Sequence, residues 1–224
     1  MSHHRAATAL LLVIIAASAA AFLRAEQLKL RHSPVAHPQV RAYFSPGCQD
    51  PGCTRVARMH FTLRDAQHLQ LAIVRTDGTV VDTLADRAFP KGRVRLVWDG
   101  RSASGTVAPD GSYRLRVTLQ DGRRVTIPDP IVVDTKAAGI TIGRVHVGTV
   151  AVAVHYTRSE GDVHAELDVY QHGRLVVHKQ HVIPRIAHFR LDAVGPGKTT
   201  IEMVAVDRAG NRTPSPPTVT VTLP

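Results

Sequence analysis

The chain has 224 residues, a formal net charge of +10 at pH 7 and an aromatic content of only 4%. This length accommodates one large or two small domains, each able to bury a hydrophobic core. The basic residues are mostly arginine, are not gathered in one run and are not interleaved with stacking aromatics, so we expect no nucleic-acid partner. Attraction to an anionic cell-wall polymer or a membrane surface remains compatible with the charge.

An uncharged apolar run opens the chain at residues 6–23. As a helix it would extend about 27 Å, which is just enough to cross a bilayer core. A cleaved signal peptide is the alternative, because the small residues at Ala17-Ser18-Ala19 fit a cleavage pattern. Since the apolar run continues past these residues, we interpret residues 1–24 as a membrane anchor and the proline-containing residues 25–42 as an extended stalk.

Two cysteines, Cys48 and Cys53, lie in a loop rich in Pro and Gly. No further ligands adjacent to them suggest zinc, and the segment lacks the helical pattern of a redox C-x-x-C motif. A turn at Pro51-Gly52 would bring the two Cα atoms within the roughly 4.4–6.8 Å that a disulfide needs. We therefore predict a Cys48–Cys53 disulfide that stabilises the fold by roughly 2 kcal/mol and holds the chain where it enters the first strand.

The location of the C-terminal part is ambiguous from charge alone. Arg24, Lys29 and Arg31 follow the apolar run and Arg5 precedes it, a distribution that favours a cytoplasmic C-terminal side. Disulfides persist in oxidising compartments, which favours the opposite side. We give the disulfide more weight and predict a single-pass cell-membrane protein with extracytoplasmic domains, or a secreted protein if the segment is cleaved.

Alternating apolar and polar residues predict about seven strands between residues 43 and 135. The clearest pair surrounds Trp98 and Tyr113, which we place in the structural core. Turn residues at Asp99-Gly100 and Pro109-Asp110-Gly111 join these two strands. Seven short strands in about 90 residues are typical of an Ig-like sandwich.

The residues Trp98-Asp99-Gly100 and Pro109-Asp110-Gly111-Ser112-Tyr113 resemble the Ig-like β-sandwich module of the flagellar hook-capping protein (FlgD-type). Phe44-Ser45-Pro46 also matches the start of that module. The resemblance covers residues 43–135 and implies a module that contacts partner proteins or stands beside a catalytic domain. Where many members carry a second acid after Trp-Asp-Gly, this chain has Arg101-Ser102.

After residues 134–139, which we interpret as a linker, the strand pattern restarts and predicts seven further strands in a second Ig-like sandwich at residues 140–224. The turn at residues 207–211 resembles the last hairpin of many bacterial surface Ig-like repeats. The predicted fold class is therefore all-β, with two tandem Ig-like β-sandwiches after an N-terminal transmembrane helix.

Two weaker patterns suggest ion binding. If their strands form a hairpin, His155 and His164 would lie close together, with a third ligand from His178, His181 or His188. Asp99 and Asp110 would suit calcium, although Asp is common in turns for backbone reasons. We predict neither a metal nor any cofactor.

No nucleophile elbow, zinc-protease helix, phosphate-binding loop or dinucleotide fingerprint occurs, so we expect no catalytic residues and no enzyme activity. The sequence predicts an extracytoplasmic, membrane-anchored adhesive, spacer or assembly module. Its partner would be a protein or an anionic cell-wall polymer. The alternative is a cell-wall or carbohydrate-binding accessory module that works with a hydrolase.

Overall fold

The computed structural model describes residues 14–15, 17–18, 33–41, 43–159, 163–182 and 185–224. Most of the predicted anchor at residues 1–24 therefore lies outside the described residues, as does half of the predicted stalk at residues 25–42. Ile14, Ile15, Ala17 and Ser18 are helical. Within the described ranges, no helix has the length and apolar character needed to span a bilayer.

From residue 33 onward, the described part of the chain forms sixteen strands and one 3-10 helix. The strands are β1 (Val35–Val40), β2 (Tyr43–Phe44), β3 (Ala57–Leu63), β4 (Gln67–Arg75), β5 (Val80–Phe89), β6 (Gly92–Trp98), β7 (Gly111–Leu119), β8 (Arg124–Thr126), β9 (Ile131–Val133), β10 (Ile140–Val147), β11 (Ala151–Arg158), β12 (His164–Gln171), β13 (Arg174–Val182), β14 (Ile186–Arg190), β15 (Gly197–Val206) and β16 (Thr218–Leu223). The 3-10 helix is Leu191–Ala193. The predicted all-β class is confirmed for this part of the chain.

The first sandwich packs a sheet of order β1-β3-β6 against a sheet of order β2-β9-β7-β4-β5, with β8 added beside β7. Neighbouring strands are antiparallel except β2 and β9. Alternate residues along each strand point inward, so period-2 sequences build one shared core. Phe61 and Trp98 come from the first sheet, and Ile73 and Leu115 come from the second.

The second sandwich pairs a sheet of order β10-β11-β14 with a sheet of order β13-β12-β15-β16. Its core draws on both sheets, with Val154 and Phe189 from one and Leu167 and Met203 from the other. Strand β12 is the most enclosed strand of this unit, because five consecutive residues in it are buried on both faces.

The predicted stalk is wrong for residues 35–40, which form strand β1 and pair with β3. Val35 is 7% exposed and belongs to the first core. Pro38 lies where the register shifts between Ala36 and Gln39, and His37 adopts a positive φ of 49° there. Prolines are tolerated at edges and bulges, which explains how an edge strand can look like a stalk in sequence.

Candidate functional site at the domain junction

Trp98 occupies the centre of the first core and is 1% exposed. Its indole N–H donates a 2.7 Å hydrogen bond to the Arg101 carbonyl oxygen. Its ring meets Phe44 and Tyr113 edge-on, with centroid separations of 5.5 and 5.2 Å. Such edge-to-face contacts add to the large area that a buried Trp removes from water.

Gly100 allows the Phe44-Ser45-Pro46 segment to approach this corner. Its φ is +80°, and a Cβ atom there would lie 2.2 Å from Cγ of Pro46 and 2.9 Å from a ring carbon of Phe44. Two motifs that lie more than fifty residues apart in sequence therefore meet in space because one residue lacks a side chain.

The polar residues of the two motifs serve turns. The Tyr113 hydroxyl donates to the Pro109 carbonyl oxygen at 2.6 Å, and burial raises the pKa of Tyr113. Asp99 accepts from the Arg101 backbone N–H at 3.0 Å. Asp110 accepts from the Thr135 N–H and hydroxyl at 2.9 and 2.8 Å, which anchors the start of the linker that leaves the sandwich. Both carboxylates are thus engaged by turn residues, and the calcium alternative gains no support from them.

The predicted hairpin between the strands that carry His155 and His164 is wrong. Strand β11 carries His155 and pairs with β10 and β14, whereas β12 carries His164 in the opposite sheet. The residue across from His155 is Ile186. Over the described residues, no group of three or more His, Cys, Asp or Glu side chains is placed to hold a metal ion.

The predicted Cys48–Cys53 disulfide is present, with the two Cα atoms 6.4 Å apart. It lies in a loop of residues 45–54, here called the disulfide loop. The Ser45 N–H donates to the Thr54 carbonyl oxygen at 2.8 Å and closes the base of the loop. Inside it, the Cys53 N–H donates to the Asp50 carbonyl oxygen at 3.4 Å.

The disulfide loop touches the second sandwich, which sequence analysis did not anticipate. The Thr54 N–H donates to the Ala209 carbonyl oxygen at 2.9 Å, and Asp50 accepts from the Arg212 backbone N–H at 3.0 Å. A Cβ atom at Gly210 would lie 2.5 Å from the Cys53 Cα. The loop therefore orders the contact between two domains as well as the beginning of one.

The opposing surface is the turn of residues 207–211, here called the docking turn, which is ordered by its own side chains. Asp207 accepts from the Asn211 backbone N–H at 2.9 Å and from the Asn211 amide at 2.8 Å. The same amide donates to the Asp134 carbonyl oxygen at 2.9 Å, so it reaches the linker. Burial raises the pKa of Asp134, and the nearby Asp207 acts in the same direction.

Two arginines, Arg208 within the docking turn and Arg212 directly after it, add side-chain contacts. The Arg208 guanidinium donates to the Tyr43 hydroxyl at 3.0 Å and stacks 5.0 Å from the centre of its ring. Arg212 donates to Glu166, which is 5% exposed, at 2.5 Å. This hydrogen bond raises the pKa of Arg212. Since a buried carboxylate without a partner is costly, Arg212 holds both Glu166 and the Asp50 contact in place.

Two clefts open on either side of this contact. The larger, of about 470 Å³, lies between the disulfide loop and strand β12, and its polar lining includes His164, Glu166, Gln180 and Arg212. The smaller, of about 290 Å³, lies between the disulfide loop and the linker. The charged groups of the larger cleft are of both signs, so it does not favour an ion of either sign.

A polar row continues from Glu166 along the outer face of β12. Asp168 contacts Nδ1 of His178 at 2.5 Å across the strand pair. Its other cross-strand neighbour is Glu202, whose pKa is raised by burial and by the charge of Asp168. The sequence pattern did not reveal this row because it shows alternation within each strand and not which strands become neighbours.

Comparison with known proteins supports the resemblance of the first sandwich to the FlgD-type module. Residues 54–123 match the family model described as the FlgD Ig-like domain. The basal-body rod modification protein FlgD of Salmonella typhimurium is 32% identical over 66 residues, which cover 30% of this chain and 28% of that protein. The same protein of Salmonella typhi matches equally. The chain thus spans under a third of the length of these curated relatives. The family-model match lies within the predicted FlgD-type module at residues 43–135.

Solved structures also resemble this chain. FlgD from P. aeruginosa has a TM-score of 0.30 at 18% identity, covering 56% of this chain and 88% of its own. The fibronectin(III)-like modules of Clostridium thermocellum CbhA have a TM-score of 0.42 at 14% identity, covering 84% of this chain and 94% of theirs.

Proposed function

We propose that this chain is a non-enzymatic assembly or adhesion module, anchored in the membrane and exposed outside the cytoplasm. The observation that carries the proposal is the docked junction, in which the disulfide loop of a FlgD-like sandwich packs on the docking turn of a second sandwich. Two domains joined by these hydrogen bonds and close contacts present their surfaces in a fixed relative orientation, which suits contact with a partner protein.

Aromatic burial favours a protein partner over a carbohydrate. Among the described aromatic side chains, only Tyr43 and Tyr170 are partly exposed, and Tyr43 is engaged by Arg208. Sugar-binding faces generally use exposed aromatic rings. The accessory role beside a hydrolase is therefore the weaker candidate.

Location is the first part of the proposal to test. A phosphatase that folds only in an oxidising compartment, fused after Pro224, is expected to be active, and a cytoplasmic reporter at the same position is expected to be inactive. Intact-mass analysis of the unfused protein is expected to show the disulfide without free thiols. The reverse pattern of reporter activity would place the domains in the cytoplasm and refute the proposal.

A further inference from the structure

The outer face of the sheet β1-β3-β6 is basic. In β3 and β6 the inward residues are buried, so the alternate residues point to solvent. Those that define the basic face are Arg58, His60, Arg93, Arg95 and Val97. The register places Arg58 opposite Val97 and His60 opposite Arg95, which groups them in one patch.

The charge of this face is not neutralised. Strands β1, β3 and β6 contain no Asp or Glu. Among the described residues, no carboxylate forms an ion pair with Arg58, Arg93 or Arg95. Other surface arginines do have acidic partners, as in Arg123–Asp121 and Arg190–Asp192.

His60 lies within this face and contacts Arg93. Its Nε2 atom lies 2.5 Å from the Arg93 guanidinium, a contact in which the neutral ring accepts the hydrogen bond. Burial lowers the pKa of His60, and the charges of Arg93 and Arg95 lower it further. The charges of Arg93 and Arg95, which oppose protonation of His60, also attract an anion to this face.

The position of the basic face along the chain indicates which anionic partner lies near it. Strand β1, at the edge of this sheet, begins at Val35, and the predicted anchor run ends at Leu23. Residues 24–34 between them, even fully extended, span only roughly 40 Å. The basic sheet is therefore the part of the described structure that the sequence ties closest to the membrane.

We propose that the basic face docks on the anionic phospholipid headgroups of the membrane in which the chain is anchored. Arginine suits this role because its guanidinium binds phosphate through two parallel hydrogen bonds. Val97, which is 51% exposed in the middle of the face, would reach between the headgroups. The proposal rests on the anchored topology proposed above, since it is the anchor that brings the face to the bilayer.

Vesicle capture tests this docking in the full chain. The protein is reconstituted in phosphatidylcholine nanodiscs and mixed with dense vesicles of phosphatidylcholine, with or without phosphatidylglycerol. We expect the nanodiscs to sediment with the anionic vesicles only, and less at high salt. Replacing Arg58, Arg93 and Arg95 by Gln is expected to lower this binding roughly a hundredfold, because each arginine near a charged surface contributes roughly fivefold.

The matched control changes the same charge elsewhere: Arg101→Gln, Arg123→Gln and Arg190→Gln replace arginines that have acidic partners. Equal loss in both triple variants, equal binding to neutral vesicles, or capture by soluble polyglutamate but not by anionic vesicles would overturn the proposal. If the chain does not enter nanodiscs, the anchor proposal fails. Direct sedimentation of the free chain with the same vesicles then still measures how strongly the basic face binds anionic lipid.

Discussion

At the scale of single residues, this molecule depends on positions where a side chain is either very large or absent. Trp98 fills the first core, whereas Gly100 and Gly210 leave room for another segment to approach. Gly100 admits Pro46 within the first sandwich, and Gly210 admits the Cys53 backbone across the domain junction. The same physical device therefore closes a domain in one place and joins two domains in the other.

Trp98→Ala is expected to lower the free energy of unfolding by about 3–5 kcal/mol, because it removes buried area and leaves a cavity. Trp98→Phe keeps a ring but loses the hydrogen bond to Arg101, so its effect is expected to be smaller. Denaturant titration followed by circular dichroism measures both. Val97→Ala on the exposed side of the same strand is the control and should change stability by about 0.5 kcal/mol or less. Equal stabilities for Trp98→Ala and Val97→Ala would refute the packing role.

Gly210→Ala is expected to open the domain junction. Its φ of +89° disfavours a side chain, and the added Cβ atom would overlap the Cys53 backbone. Gly173→Ala is the matched control, since Gly173 has a φ of +75° and nothing within 4 Å of the added atom. The strain common to both variants costs about 1 kcal/mol, and the overlap adds about 1–3 kcal/mol for Gly210 only. Thermal unfolding of the two variants gives the comparison, and equal melting temperatures would contradict it.

At the scale of elements, the strands follow from sequence but their neighbours do not. Alternation in residues 57–63 and 93–98 correctly indicates inward faces, because a half-buried strand needs apolar residues at every second position. Strand β1 cannot be predicted from its sequence, because Pro38 suggests a stalk when the pairing with β3 is unknown. The junction is hidden in the sequence for a similar reason. Asp207 and Asn211 look like ordinary turn residues, and only the fold brings them to Asp134.

Glu202 on β15 offers a pH test of the polar row on the second sandwich. Its pKa in the folded protein is raised, chiefly by burial and also by Asp168, from an ordinary value of 4.5. The protonated form is therefore favoured by folding. Its contribution to stability is complete below pH 4.5 and is lost as the pH rises through the folded-state pKa.

Glu202→Gln mimics the neutral form of the side chain and is expected to reduce this loss of stability. The free energy of unfolding of the variant should therefore rise relative to that of the wild type as the pH increases from 4 to 7, by about 1 kcal/mol or less. Urea unfolding at a series of pH values measures the difference. Asp129→Asn at an exposed turn is the control for a simple change in net charge. A constant difference between Glu202→Gln and wild type across this range would contradict the assignment.

At the scale of the whole molecule, the disulfide loop is a shared part of two domains. Replacing both Cys48 and Cys53 by Ser is expected to lower stability by roughly 2 kcal/mol through the loop entropy of the unfolded chain. The amides of Thr54 and Arg212 should also exchange hydrogen faster, because each is bonded across the junction. Amides in β6 should keep their protection, since β6 is held by its pairing with β3. Unchanged exchange at Thr54 and Arg212 would show that the bond does not support the junction.

The docking turn has a mechanical consequence. If the two sandwiches met only through the linker, a sideways load on the second would bend that linker like a hinge. Hydrogen bonds join the docking turn to Thr54 and Asp134, and another joins the adjacent Arg212 to Asp50. These bonds lie beside the linker, so bending the linker would stretch them together. Force applied near Pro224 is thus transmitted to the base of the first sandwich without the linker bending first.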